Sequence, residues 1–401
     1  VLLFAADMGE TFREAMRILR APYPNAASPT NDPRFLHARH APFCRDANRP
    51  ALIPATQPVK RALRAAGFRF QDSVSCVSNR QVTGPMTERT PTREGVIAAA
   101  ESVAAILPPT PLLPVAIGGV RAFVKAEVLQ PIGSFKIRGA WWRLSNLTPQ
   151  EREGGVVAVS SGNHAQGVAW SALRLGVKAT IVMPHDAPEV KLANTKALGA
   201  EVVLYQRPGE DRDAVAARLI AERGGTLVHA FGDPWVIEGQ GSAAIEIASQ
   251  LGRAPSRIIV CCGGGGLTAG LALGAPDSAI HPVEPVGWDM VGQAMAKGEL
   301  VHAAPDAPRT ICDALQPNVT KQLNLSLLMG RAEPGVTVTD DEVRAAQAFA
   351  FANLRLVVEP GGAAALAAAL AGKVPVDEGT VIMLTGGNAD PAAYAATIAG
   401  A

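Results

Sequence analysis

Neither sign of charge is in surplus in this sequence: 37 Lys and Arg stand against 36 Asp and Glu over 401 residues, a formal net charge of +1. A surface built to hold nucleic acid or an anionic membrane needs a basic excess, so neither partner is expected. Long apolar runs are also missing. None approaches the roughly 18 residues that cross a bilayer. The apolar start, Val1-Leu2-Leu3-Phe4-Ala5-Ala6, is too short for a signal core and follows no basic segment. Cysteine is scarce, and Cys44, Cys76, Cys261, Cys262 and Cys312 show no metal-ligand spacing. Their odd number and the adjacent Cys261-Cys262 argue against a disulfide framework and for a reducing compartment, with the cytoplasm as default. The seven histidines are scattered and do not form the clusters a metallohydrolase needs.

What is present is apolar mass and backbone freedom. Hydrophobic residues make up 48% and charged residues 18%, enough for a large core. Gly (39) and Pro (31) predict many tight turns and close backbone approaches. Residues 1–85 have no sustained period and read as an extension: disordered, a targeting segment, or sequence upstream of a mis-set start, since an orderly pattern begins at Met86. From Thr92 a helix is expected to run to Ile106, and a strand from Arg121 to Glu127. Strands are then expected at 156–160, 179–183, 202–205, 226–230, 257–262 and 380–384. Helices are expected at 165–175, 190–198, 213–222, 236–251, 340–354 and 363–370. Short β-branched runs alternating with helices predict an α/β fold of mostly parallel sheets covered on both faces.

Ligands of such sheets bind beyond the carboxyl ends of the strands, and four stretches there carry chemistry. Lys136 sits between Phe135 and Ile137 after Gly133-Ser134. A buried lysine loses pKa and becomes a nucleophile able to form a Schiff base; a surface lysine whose stem lies on apolar neighbours is the other reading. Ser160-Ser161-Gly162-Asn163-His164 opens a helix whose N–H groups suit a carboxylate, or forms a plain cap. Gly263-Gly264-Gly265-Gly266-Leu267 offers unobstructed N–H groups at a helix start, a phosphate cradle that is neither a P-loop nor a dinucleotide fingerprint. Thr385 puts one hydroxyl at a strand tip before Gly386-Gly387-Asn388. One cofactor needs all four: pyridoxal phosphate, whose aldehyde, phosphate, phenolate oxygen and ring nitrogen each require a partner.

Ser134-Phe135-Lys136-Ile137-Arg138-Gly139-Ala140, Ser161-Gly162-Asn163-His164-Ala165-Gln166-Gly167, the four glycines and Thr385-Gly386-Gly387-Asn388 occur in the order of the serine/threonine dehydratase and serine racemase family. The chain from about Met86 onward resembles that family, fold type II of the pyridoxal-phosphate enzymes. The resemblance implies a tryptophan synthase β-like architecture of two domains. Residues 86–149 and 232–401 would form the large one, residues 150–231 the small one. It implies that Lys136 carries the cofactor and acts as base, with Phe135 beside the ring and Asn163 on the phenolate oxygen. Gly263, Gly264, Gly265, Gly266 and Leu267 would hold the phosphate, and Thr385, where the family usually has Ser, the pyridine nitrogen. Ser161, Gly162, Asn163 and His164 would hold the substrate carboxylate, and Ser161 is the opposite-face base of the racemases. Val283-Glu284-Pro285 resembles the family's cation site for Mg²⁺, Ca²⁺ or a monovalent ion, but Met290 stands where an Asp is expected and Asp289 is one residue short. The implied activity is elimination of water and ammonia from threonine or serine by a homo-oligomer, dimer or tetramer. Dehydration of phenylserine or hydroxyaspartate, serine racemisation and a catalytically quiet binder remain alternatives. Glu238 is open between a specificity role and a structural one.

Overall fold

Two sheets take up the β-branched runs. The computed structural model describes residues 89–187, 189–207 and 209–400, so the expectations for residues 1–85 and Met86 lie outside the described residues. The strands are β1 Leu112–Ile117, β2 Val120–Ala126, β3 Val156–Val159, β4 Ala179–Pro184, β5 Glu201–Tyr205, β6 Thr226–Leu227, β7 Arg257–Cys261, β8 Ala279–Pro285, β9 Val336–Val338 and β10 Thr380–Leu384. One sheet runs β1-β2-β10-β7-β8-β9, the other β5-β4-β3-β6. Among these strands of the described residues only the β1–β2 pair is antiparallel, a hairpin closed by Gly118 and Gly119 with positive φ. The other pairings between these strands are parallel.

Parallel strands buried on both faces need apolar residues on both, and the composition supplies them. One face of the six-stranded sheet packs Val124, Ile259 and Ile382 with the alanine-rich helix Pro360–Leu370. The other packs Ile258, Val260, Val381 and Met383 with helices Pro234–Leu251 and Gly266–Gly274. Those two helices touch backbone to backbone: a Cβ on Gly270 would lie 2.3 Å from the Ile237 carbonyl oxygen. The four-stranded sheet is covered by helix Asn163–Leu175 on one face and by Arg212–Arg223 on the other.

Differences from the expected elements have local causes. Helix 165–175 starts earlier, at Asn163, with Gly162 as its N-cap. The strand expected over 226–230 ends at Leu227, because the carbonyls of Val228 and Ala230 turn to accept from His164 and Lys136. The helix expected to Leu354 stops at Phe349, continues as a wider turn over Ala350–Leu354, and ends on Arg355 at φ 61°. Glu238 reads as structural: its carboxylate accepts from Arg89 Nη2, Thr92 N and Trp142 Nε1, tying the segment before helix Arg93–Ala104 to helix Lys136–Ser145. No helix among the described residues is long and apolar enough to cross a membrane.

Candidate active site

Strands β2, β10 and β7 end side by side, and the loops that follow them are stitched by backbone bonds. Phe135 N donates to Thr385 O at 3.1 Å, and Gly387 N donates to Gly133 O at 2.8 Å. Gly133 has φ +68°, and a Cβ there would meet Asn388 Oδ1 at 2.7 Å, which explains the glycine ahead of the lysine. Lys136 is the first residue of helix Lys136–Ser145. Its Nζ donates to the Ala230 carbonyl at 2.8 Å and lies 5.1 Å from the Phe135 ring centre. Burial lowers its pKa to about 8, against a weaker opposing influence of Cys261. Roughly a tenth of the side chain is therefore free amine at neutral pH without a neighbouring base.

Asn163 opens its helix from the β3 end and touches two far segments. Its Nδ2 donates to Glu359 Oε1 at 2.6 Å, and its Oδ1 accepts from Asn388 Nδ2 at 2.7 Å. Ser160 Oγ accepts from Gly162 N, which shapes the turn carrying Ser161. His164 points the other way. It is buried, its Nε2 donates to Val228 O at 2.8 Å, and burial first, then Lys136, lowers its pKa to about 3. The ring is thus neutral, and only its backbone N–H, in the first turn, is suited to an anion.

The glycine loop follows β7. Gly265 has φ +86° and caps helix Gly266–Gly274. A Cβ on Gly264 would lie 2.4 Å from the Phe231 ring, and one on Gly266 would lie 2.8 Å from the Phe231 backbone. The loop is braced from behind: Gly264 O accepts from Asn324 Nδ2 at 2.6 Å and from Thr320 Oγ1 at 2.9 Å. Thr385 is buried, with Oγ1 3.0 Å from Cys261 Sγ. Burial pushes that thiol up to about 11, so it stays protonated.

Lys136, Phe135, Asn163, Thr385 and the glycines thus converge. Glu284 is engaged elsewhere. Its two oxygens accept from Val291 N (2.9 Å) and Gly292 N (2.8 Å), capping helix Met290–Lys297 from the end of β8. Met290 is buried, and among the described residues no three His, Cys, Asp or Glu side chains gather to hold a metal. Chelation with EDTA is expected to leave the Tm unchanged; a rise on adding Ca²⁺ or Mg²⁺ would show that Glu284 exchanges its backbone partners for an ion. Sequence reasoning missed Ala230, Phe231, Asn324, Cys261 and Glu359. Of these only Glu359 had a local signal, the Glu359-Pro360-Gly361-Gly362 helix start.

Residues 103–386 match the pyridoxal-phosphate dependent enzyme family. The chain is 37% identical over 314 residues to a serine racemase of Schizosaccharomyces pombe, covering 76% of this chain and 96% of that protein. It is 38% identical over 287 residues to an L-threo-3-hydroxyaspartate ammonia-lyase of Saccharomyces cerevisiae, covering 70% and 87%. The solved structure of a T.th. threonine deaminase superposes with a TM-score of 0.69 at 37% identity, over 75% of this chain and 99% of that one. Family match, fold and the lysine–glycine-loop site agree: the chain belongs to the pyridoxal-phosphate-dependent enzymes of fold type II.

Proposed function

We propose that this enzyme is an ammonia-lyase that converts a β-hydroxy amino acid, threonine or serine first, to a 2-oxo acid and ammonia. The observation that carries the proposal is Lys136, whose buried amine is held at pKa about 8 and set among the segments that would serve the rest of the cofactor. The glycine loop fits a phosphate, because residues 263–266 carry no side chain over their N–H groups at a helix start; Gly264 and Gly266 are also required by packing, since a Cβ on either would collide with Phe231. Gly263, Gly264, Gly265, Gly266 and Leu267 would hold the phosphate by N–H groups at a helix start. Asn163 would bond the phenolic oxygen, Phe135 would pack by the ring and Thr385 would face the pyridine nitrogen. Pyridoxal phosphate supplies, when bound, the electron sink for a carbanion at the substrate α-carbon.

The chain's own residues do the rest. Lys136 Nζ takes the proton from the substrate α-carbon, which an amine of pKa about 8 can do near neutral pH. Ser161, Gly162, Asn163 and His164, at the start of helix Asn163–Leu175, would orient the substrate carboxylate toward the positive end of that helix. Thr385 is neutral and so gives the ring nitrogen no carboxylate partner, which favours loss of a β-leaving group as the proton departs. The water lost in elimination is taken up again when the released enamine hydrolyses, so the net products are a 2-oxo acid and ammonia. Residues 150–231, a cytoplasmic setting and a homo-oligomer belong to the same proposal, as the small domain, the compartment and the assembly. Ser161 carries a second reading, racemisation, in which its hydroxyl would serve as proton donor on the face opposite Lys136; one relative is named a serine racemase.

Cofactor-loaded protein is expected to release ammonia and a 2-oxo acid in equal amounts from threonine or serine. Phenylserine and threo-3-hydroxyaspartate in the same panel define the β-substituent, and chiral separation of recovered serine reads out racemisation. A yellow protein that yields no 2-oxo acid from any of these would overturn the elimination reading.

A further inference from the structure

Glu359 is a buried carboxyl that the proposed chemistry leaves without work. It is the N-cap of helix Pro360–Leu370, yet its side chain makes no bond to that helix. Its Oε1 instead accepts from Asn163 Nδ2 at 2.6 Å, across 196 residues of chain. The carboxyl is held firmly. Glu359 N donates to Gly386 O at 2.9 Å, and a Cβ on Gly386 would lie 1.9 Å from Glu359 Oε1. From the other side Asn388 Nδ2 donates to Asn163 Oδ1 at 2.7 Å and to Ile132 O at 2.9 Å.

These bonds determine the amide of Asn163. Its oxygen must face Asn388, whose NH₂ can only donate, and one of its two N–H groups is committed to Glu359. The other N–H is the one left for a ligand. We propose that Glu359 and Asn388 are positioning residues for Asn163, fixing its amide so that the second N–H serves the phenolic oxygen of the cofactor, with the charge state of Glu359 tuning that contact. The proposal rests on reading Asn163 as a cofactor ligand.

The charge state is poised to change. Burial raises the Glu359 pKa to about 7, partly offset by Asn163; Asp313 pushes it the same way as burial and Lys191 opposes. Lys191 and Asp313 face each other as an ion pair at 3.6 Å, and the Cys261 thiol, protonated at neutral pH, feels Glu359 from the end of β7. Below the Glu359 pKa the bond to Asn163 loses its charge assistance; above it the bond is strengthened.

The test compares wild type, Glu359→Gln, Glu359→Ala, Asn388→Ala and Asn163→Ala by two readouts that need no turnover: the visible band of bound pyridoxal phosphate against pH, and the cofactor dissociation constant. Wild type is expected to show a spectral step with a midpoint near pH 7. Glu359→Gln, whose carbonyl still accepts from Asn163, is expected to bind cofactor and lose the step. Glu359→Ala and Asn388→Ala are expected to weaken cofactor binding by about tenfold. If Glu359→Ala fails to fold, Glu359→Gln and Asn388→Ala decide. A wild-type step in Glu359→Gln, or wild-type affinity and spectrum in Asn388→Ala, overturns the positioning role. Wild-type behaviour of Asn163→Ala removes Asn163 as a ligand and overturns the proposal at its root. A changed Asn163→Ala beside unchanged Glu359→Gln and Asn388→Ala rejects the positioning alone.

Discussion

Lys136→Ala is expected to abolish turnover, by at least ~10³-fold, and to leave a protein that no longer holds its yellow colour through desalting. Two losses combine. The amine that would carry the cofactor is gone, and so is the base that would take the substrate proton. The fold is expected to survive. Lys136 stands at the first position of its helix, where alanine is at home, and its side chain makes one hydrogen bond, to Ala230 O. Removing a desolvated amine leaves only one carbonyl without that donor, so the Tm is expected to hold or rise. Lys136→Arg separates charge from chemistry. A guanidinium keeps the positive charge but is never deprotonated, so this variant is expected to be as inactive as the alanine. Activity assays beside thermal melts check both; a turnover within tenfold of wild type in either variant would place the reacting amine elsewhere.

Arg138→Ala is expected to destabilise the protein by about 3–5 kcal/mol, because it breaks a buried charge network from one side. Arg138 lies two positions beyond the lysine. Its Nε and Nη2 donate to Glu127 Oε2 and Oε1, both at 2.7 Å, and Nη2 lies 3.0 Å from Glu246 Oε2. Lys125, equally buried, donates to Glu246, to Thr110 O and to Gln250 Oε1. Two cations thus balance two carboxylates. Although burial opposes it, the Arg138 guanidinium, with Lys125, holds Glu127 down to about 2. The folded pKa of Glu127 is below its unfolded value, so its contribution is full above about pH 4.5 and is lost as pH falls toward 2. Without Arg138, Glu127 and Glu246 share one lysine. Denaturant unfolding should show a lower midpoint with an unchanged slope. Pairing Arg138→Met with Glu127→Gln should cost less than the sum of the single changes, since neither then strands a charge. A loss under ~1 kcal/mol in Arg138→Ala would mean that water takes over the guanidinium's role.

The parallel sheets could be read from the chain because each strand is a short β-branched run between helices of clear period. Strand β10 at Thr380–Leu384 lies where its pattern puts it. Strand β9, three residues long, has too little pattern to be located by periodicity, and β6 falls at the start of the expected 226–230 but keeps only two residues. Lys136, the glycine loop and Thr385 could be found because each is a local motif at a strand end. Their partners could not. Glu359 reaches Asn163 across 196 residues, Asn324 braces Gly264 across 60, and Lys136 donates to a carbonyl, which has no residue identity. Glu284 illustrates the reverse case. A strand-end Glu resembles a cation ligand in the sequence, but only the fold shows that its two oxygens accept from the backbone N–H groups of Val291 and Gly292.

The most direct test of Lys136 as the cofactor's anchor is borohydride reduction of the native yellow protein, followed by proteolysis and mass spectrometry of the lysine peptides. The expected product is a phosphopyridoxyl adduct on Lys136, in stoichiometric yield, and none in the Lys136→Ala variant. An adduct on another lysine, or full colour with no adduct at all, would contradict it.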